Sequence, residues 1–262
     1  MRLPVLRSCF TIASLLLVSS VAMAQTVYSP DVTRVFVSGF MGLNHNTNMG
    51  DFKTDCDCLF EGSLGLGNIG AQLGADITYA WSPSWAVIAK AYYDNKHTVE
   101  EYERDISTPI ATGQEVLVRS VRYNEIGDVS LSYLTFGLFL RWQPRLARWY
   151  VYAGPTAGVV LASEVQHKQE IVDPELSYRE LLDTKREVST GEVDGLLRLE
   201  AAVGFGYDYI IRPRWYLNPE IRVGYPLTKV TETITDRSKD IAIDDWKVMS
   251  VQFSIGLKYE AF

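Results

Sequence analysis

The sequence predicts an all-β chain: an antiparallel, up-and-down barrel of eight strands that crosses a membrane. Three observations predict it. A removable export segment stands at the N-terminus, long stretches alternate strictly with a period of two, and tryptophans gather at the tight turns between those stretches.

The export segment comes first. Arg2 and Arg7 precede an apolar run through Ile12, Leu15, Leu16, Leu17 and Val18, and Ala22-Met23-Ala24 forms the small-residue exit before Gln25. This is the three-part pattern of a secretory signal peptide, predicted to be cut after Ala24, which leaves residues 25–262 as the barrel. Cys9 lies ahead of the apolar run, where a lipoprotein cysteine cannot lie. Losing Arg2 and Arg7 moves the formal charge from −7 to −9. An acidic chain is a poor partner for nucleic acid, which needs a basic face. No later run approaches the roughly 18 apolar residues of a membrane helix, but barrel strands need apolar residues only at alternate positions.

The strands follow in order. Residues 34–44 put Val35, Val37, Met41 and Leu43 on one face. Residues 71–81 set Ala71, Leu73, Ala75, Ile77, Tyr79 and Trp81 against Gln72, Gly74, Asp76, Thr78 and Ala80. Trp81-Ser82-Pro83-Ser84-Trp85 reverses the chain, because proline fixes φ and cannot donate to a ladder. Residues 85–94 then set Val87, Ala89, Ala91 and Tyr93 against Ile88, Lys90, Tyr92 and Asp94. Residues 133–142 oppose Leu134, Phe136, Leu138 and Leu140 to Thr135, Gly137, Phe139 and Arg141, and the segment Trp142 to Trp149, with Pro144 inside, is the second turn. Residues 149–162 alternate less cleanly. Residues 197–209 alternate best, Leu197, Leu199, Val203 and Phe205 against Arg198, Glu200 and Asp208. Ile211-Arg212-Pro213-Arg214-Trp215 is the third turn. Residues 215–225 set Leu217, Ile221 and Val223 against Asn218, Glu220 and Arg222, with Pro219 implying a bulge or a break in pairing. Residues 248–260 close the set with Phe253, Ile255, Leu257 and Tyr259 on one face.

Cost decides which face meets lipid. An Arg or Lys turned to mid-bilayer lipid costs about 2–4 kcal/mol in a barrel, so the charged face points inward. Asp76, Lys90, Arg141, Arg198, Glu200, Glu220, Arg222 and Lys258 are therefore expected to share one narrow lumen and to pair there, since an unpaired buried charge is costly. Trp81, Trp85, Trp142, Trp149 and Trp215, five of the six tryptophans, flank the turns as an interfacial girdle.

Residues 45–68, 95–131, 163–195 and 226–245 are the long connections. Short turns and both termini are expected on the periplasmic side and these segments outside, where they carry most of the acidic excess. Glu115 to Tyr123 keeps a strand pattern, so hairpins are expected to project above the membrane.

With these features the chain resembles the small outer-membrane barrels, the OmpA transmembrane-domain-like and PorT-like outer membrane protein beta-barrel domain proteins, over residues 28–262. The resemblance implies an outer-membrane location, contact with lipid and lipopolysaccharide, and insertion by the barrel-assembly machinery. It also implies that Phe262 acts as the terminal aromatic of the assembly signal. Phe262 is one residue out of phase with Phe253, Ile255, Leu257 and Tyr259, so either the last strand bulges or Phe262 lies beyond it. On this reading the chain is expected to end at the barrel, without the peptidoglycan-binding domain that follows it in OmpA.

The remaining motifs are weaker. Asp55-Cys56-Asp57-Cys58 supplies too few ligands for a closed zinc site, and an oxidised Cys56/Cys58 pair or bonding to another molecule stays open beside metal. His45, His97 and His167 fall near loop bases, expected to be solvated, and none makes a His-x-Ser pair. No cofactor is expected. The favoured reading is a structural or surface-interaction barrel with a closed, charged lumen and no catalysis. A small solute- or ion-conducting or ligand-binding barrel is the alternative, and a rim hydrolase ranks behind both.

Overall fold

Every strand that crosses the wall hydrogen-bonds to the strands beside it, and the last pairs with the first, so the wall has no open edge. The computed structural model describes residues 33–53, 59–60, 68–112, 115–173, 176, 184–191, 197–230, 234–236 and 241–261. Its strands are β1 (Arg34–Lys53), β2 (Leu59–Phe60), β3 (Ile69–Ala80), β4 (Trp85–Thr112), β5 (Glu115–Trp142), β6 (Trp149–Ile171), β7 (Lys185–Gly191), β8 (Arg198–Tyr207), β9 (Tyr209–Arg212), β10 (Trp215–Pro226), β11 (Ile234–Asp236) and β12 (Ile241–Glu260). Eight of them, β1, β3, β4, β5, β6, β8, β10 and β12, form the closed antiparallel ring. β2, β7 and β11 pair on β1, β6 and β12, and β9 takes over from β8 beside β10.

The register fixes the width of the barrel. Stepping across partners from Arg34 passes Ala80, Ala86, Arg141, Tyr152, Gly204, Arg222 and Gln252, and returns to β1 at Asn44, ten residues higher. Eight strands with that offset tilt by about 40° and enclose a backbone cylinder of about 8 Å radius, a space that side chains fill.

Alternation sorts the two faces. Along β8 every residue from Arg198 to Gly206 switches between buried and exposed. Outside, Met41, Leu73, Leu138, Val203 and Phe253 are each more than half exposed. A continuous apolar belt of this kind is stable only against hydrocarbon.

The strands run beyond the stretches that alternation alone marks. β4 and β5 stay paired without a slip from Trp85–Trp142 to Thr112–Glu115, so the second long connection is one hairpin up to residues 113–114. The reason is packing above the belt, where Val121, Tyr123 and Ile171 cluster on its inner side. β1 likewise continues to Lys53 and β6 to Ile171. The uneven alternation of residues 149–162 has a local cause: Ser132 faces Ala162 and Tyr133 faces Val160, which leaves Leu161 as an extra residue.

Pro219 produces a break on one side only. β10 pairs with β12 straight through Pro219–Ile255, while on the other side the ladder is interrupted where Asp208 separates β8 from β9. Proline has no N–H to give, and the Tyr207 carbonyl accepts the Asn218 side-chain amide instead, at 3.2 Å. β12 holds one register on β1 from Lys247 to Glu260, so no bulge precedes its end. Phe262, Cys56, Cys58 and the export segment 1–24 lie outside the described residues.

Candidate functional site

Alternation turns the inward charged residues of six strands, β3, β4, β5, β8, β10 and β12, into one column inside a wall of about 8 Å radius, and the side chains meet there in layers. In the lowest layer Arg141 (β5) and Lys258 (β12) converge on Asp208, which links β8 to β9. The Arg141 guanidinium donates to Asp208 Oδ2 at 2.6 Å and the Lys258 ammonium to Oδ1 at 2.7 Å. Asn218 adds a third donor at 3.0 Å. Arg141 also lies over the Tyr150 ring, 3.7 Å from its centroid.

The next layer gathers on Glu220. Lys90 pairs with it directly and stands 3.9 Å from Asp76, while the Tyr150 and Tyr152 hydroxyls donate to Glu220 at 2.5 and 3.1 Å. Rings fill the space between charges. Phe139 meets Tyr152 edge-on at 5.2 Å, and Phe40 faces Tyr92 at 6.0 Å. Small residues across the wall make room for them. A Cβ at Gly204 would lie 2.3 Å from the Tyr152 ring, and one at Gly206 would lie 2.4 Å from the Tyr150 ring.

Above this, Arg222 donates to the Gln252 and Gln72 side-chain carbonyls and stacks over Tyr92, 4.5 Å from the centroid. Arg198 pairs with Glu200, its neighbour on β8, and also donates to the Val248 carbonyl at 2.9 Å. Thr156 donates to Glu200 at 3.1 Å. Lys96 pairs with Asp94 at 2.9 Å and donates to Ser250 at 2.7 Å. The eight charged residues that alternation assigned to the interior are thus all buried, in three groups around Asp208, Glu220 and Glu200, with Arg222 held by amides.

Asp208 and Asp94 fall on the inner sets of their strands by alternation and join the column beside the eight expected there. Lys96, just past the expected strand end, carries no such signal and marks the top of the column with Asp94. Higher still, Val129, Leu131, Val165, Val230, Trp246 and Val248 form an apolar cluster around the axis, with the Trp246 indole donating to Asn48 at 3.0 Å.

The histidines depart from expectation in part. His167 is 5% exposed rather than solvated, because β6 continues past residue 162 and turns it inward against Glu125. Glu125 is fully buried and accepts from His167 at 2.8 Å, Gln169 at 2.7 Å and Arg104 at 3.1 Å. Burial alone would raise its carboxyl, but the bonds from His167 and Gln169 and the charges of His167 and Arg104 outweigh burial and hold it below the usual value. His97 is on the outer face, 2.9 Å from Asp128, which also takes Lys168 at 3.2 Å. His45 is half-buried on β1 opposite Val251.

At the opposite end the turn tryptophans share one level. Trp85 and Trp142 are cross-strand partners. Trp142 and Trp149 meet edge-on at 5.9 Å, and Trp149 stacks near Phe205 at 6.1 Å. Trp215 lies against Tyr259 at 4.9 Å, and Trp81 is exposed. Arg34 and Glu260 pair at 3.3 Å at the mouth below, beside a cavity of about 490 Å³.

A closed ring of eight strands, apolar outside and charged within, defines a transmembrane β-barrel of the bacterial outer membrane. The chain belongs to the outer membrane protein beta-barrel domain family, whose model matches residues 23–232. Among solved structures it is similar to Ail, the attachment invasion locus protein of Yersinia pestis (10% identity, 86% of this chain and 99% of that one, TM-score 0.33). It is also similar to OprG of Pseudomonas aeruginosa (14% identity, 88% and 96%, TM-score 0.39) and to the outer membrane protease OmpT of Escherichia coli (12% identity, 90% and 99%, TM-score 0.30). A comparison with curated protein sequences found no match.

Proposed function

We propose that this is a closed barrel that reinforces the outer membrane and presents acidic hairpins to partners at the cell surface. One observation carries the reading: successive layers of the lumen are occupied by ion pairs with aromatic rings between them, and the Trp246 cluster stands over the column. Such a column binds its own side chains to one another and leaves little for a passing solute.

The hairpin of β4 and β5 supports the surface role. Beyond the outermost belt residue, Tyr93, β4 continues for nineteen residues, 94–112, roughly 60 Å of strand. Among the described residues its outer half pairs with β5 alone, an edge that would invite aggregation if it were apolar. Glu101, Glu103 and Asp105 are exposed there, and Pro109 interrupts the donors, so the edge repels a second copy while displaying negative charge. Basic surfaces, or divalent cations bridged to lipopolysaccharide, fit that charge.

A rim hydrolase is the weaker reading for a geometric reason. Ser130 is directly across from His97 beside Asp128, but the ring nitrogen bonded to Asp128 is Nε2, the one a triad keeps for the serine.

Planar-bilayer recording of the purified protein tests the proposal. A silent bilayer is expected. Stable single-channel steps that disappear on Arg198→Gln or Glu200→Gln substitution overturn the closed lumen and establish the conducting alternative.

A further inference from the structure

From the level of Asp208 to that of Lys96, the described residues of the column carry one cation more than their carboxylates balance. In the two lower layers Arg141, Lys258 and Lys90 stand against Asp208, Glu220 and Asp76. Above them Arg198 pairs with Glu200 and Lys96 with Asp94. Arg222 is left over. It gives Nε and Nη2 to the Gln252 carbonyl, and Nη2 also to that of Gln72 at 3.4 Å, both neutral groups. The amide nitrogens of these glutamines turn elsewhere, Gln252 to Ser250 at 3.3 Å and Gln72 to the Phe253 carbonyl at 3.5 Å. The carboxylates whose charge reaches Arg222 are Asp94 and Glu200, and each is bonded to a different cation.

The guanidinium therefore has a spare donor. Its Nη1 is buried and meets no acceptor among the described residues. The Tyr92 ring lies against the same guanidinium, its centroid 4.5 Å from the central carbon, and the Tyr92 hydroxyl is likewise buried without a partner among the described residues. Two orphan donors thus belong to residues in contact, and one of them is charged. A buried water would satisfy both bonds but leave the surplus charge inside a wall that faces hydrocarbon. An anion satisfies the bonds and the charge together, and bonds between ionised groups are the stronger kind. Phe139 adds a second ring 5.7 Å from the guanidinium, and such apolar walls favour a monatomic ion over an oxyanion that needs donors on every side.

We propose that the barrel interior holds one chloride ion, bound by Arg222 Nη1 and the Tyr92 hydroxyl. The ion is a structural counter-charge: it completes the neutrality of the column and ties β4 to β10 across the lumen. The site does not depend on whether the lumen conducts, since a fixed ion and a passing one are told apart by channel recording.

The test uses the full mature chain folded in micelles, with bromide as a heavy stand-in for chloride. Crystals grown in sodium bromide are expected to show an anomalous peak within hydrogen-bond reach of Arg222 Nη1 and the Tyr92 hydroxyl. In solution the thermal midpoint should rise with sodium chloride and saturate, relative to sodium gluconate at equal ionic strength, because an ion held by the folded barrel alone stabilises it by mass action. Tyr92→Phe should raise the chloride concentration of half effect roughly tenfold through the loss of one hydrogen bond. Arg222→Gln should abolish the chloride-specific rise, whereas Arg34→Gln, which removes a cation at the mouth, retains it. Should Arg222→Gln fail to fold, the bromide crystal and Tyr92→Phe decide without it. A water in place of the anomalous peak overturns the proposal. So does a rise that gluconate matches, or one lost equally in Arg222→Gln and Arg34→Gln, which reports net charge alone. Bromide that occupies the site while chloride leaves the midpoint unmoved is an adventitious ion only, and overturns it too.

Discussion

Asp208 holds two cations at once: Arg141 from β5 at 2.6 Å and Lys258 from β12 at 2.7 Å, on separate carboxylate oxygens. It does so at the point where β8 ends and β9 begins, so the break in the ladder and the ion pair are one feature. Asp208→Asn leaves both cations buried without a counter-charge. A loss of about 3–5 kcal/mol is expected, the usual cost of removing one partner of a buried pair. Adding Lys258→Met should recover part of it. Urea unfolding from lipid vesicles reads both, and an Asp208→Asn barrel within about 1 kcal/mol of the parent would remove Asp208 from the centre of the lower layer.

Asp208 also shows what the sequence allows to be read. Which residues face inward was legible, because alternation with a period of two is a local property; Arg141, Arg198 and Glu220 were placed that way. Which of them meet was not legible. Lys90 and Glu220 are 130 residues apart and touch only because the strand offset puts them at one height. Strand length is hidden in the sequence for a different reason. Above the belt the outer face turns polar, so Asn95 to Thr112 loses the apolar alternation while keeping its pairing, and no pattern marks Glu125 and His167 as interior groups. Pro219 marks an interruption in the sequence, but only the ladder shows that the Asn218 side chain takes up the carbonyl left there.

Ring and glycine are matched across the wall of β6 and β8. Tyr150 covers Gly206 and Tyr152 covers Gly204, so any side chain at those glycines meets a ring. Gly206→Val should cost about 1–3 kcal/mol through overpacking, and Tyr150→Leu in the same chain should recover some of it by making room. The recovery will be incomplete, since Tyr150 also donates to Glu220. Thermal unfolding of the single and double variants in micelles checks the sign of the coupling. Additive losses would mean that the ring does not lie over the glycine.

Glu125 makes the projecting hairpin sensitive to acid. Its folded-state carboxyl is held below the ordinary value, so its stabilising contribution is present at neutral pH and down to about 4.3, the usual carboxylate pKa. It is then lost as pH falls further, through the depressed value. Below that point the bonds from His167, Gln169 and Arg104 no longer meet an anion. Hydrogen exchange at residues 121–127 is expected to accelerate there beyond the intrinsic trend, with the belt strands unaffected. In Glu125→Gln the acceleration should already be present at neutral pH, and a variant as protected as the parent would show that the carboxylate is not what holds the three strands together.

The belt itself can be tested by depth. Leu138 is at the middle of the outward series on β5, between Phe136 and Leu140, and is 57% exposed. Leu146, only eight residues on, is more exposed still at 76%, but it sits in the turn at the tryptophan level. Solvent accessibility alone would rank an arginine at either place as harmless, whereas hydrocarbon discriminates sharply between them. Leu138→Arg should cost about 2–4 kcal/mol and Leu146→Arg about 0–1, because the penalty for a cation falls steeply toward the interface. Unfolding from phosphatidylcholine vesicles, followed by tryptophan fluorescence, measures both. Equal, small losses would place Leu138 in water and dissolve the membrane assignment of the whole outer face, since the other seven strands present the same kind of surface at the same height.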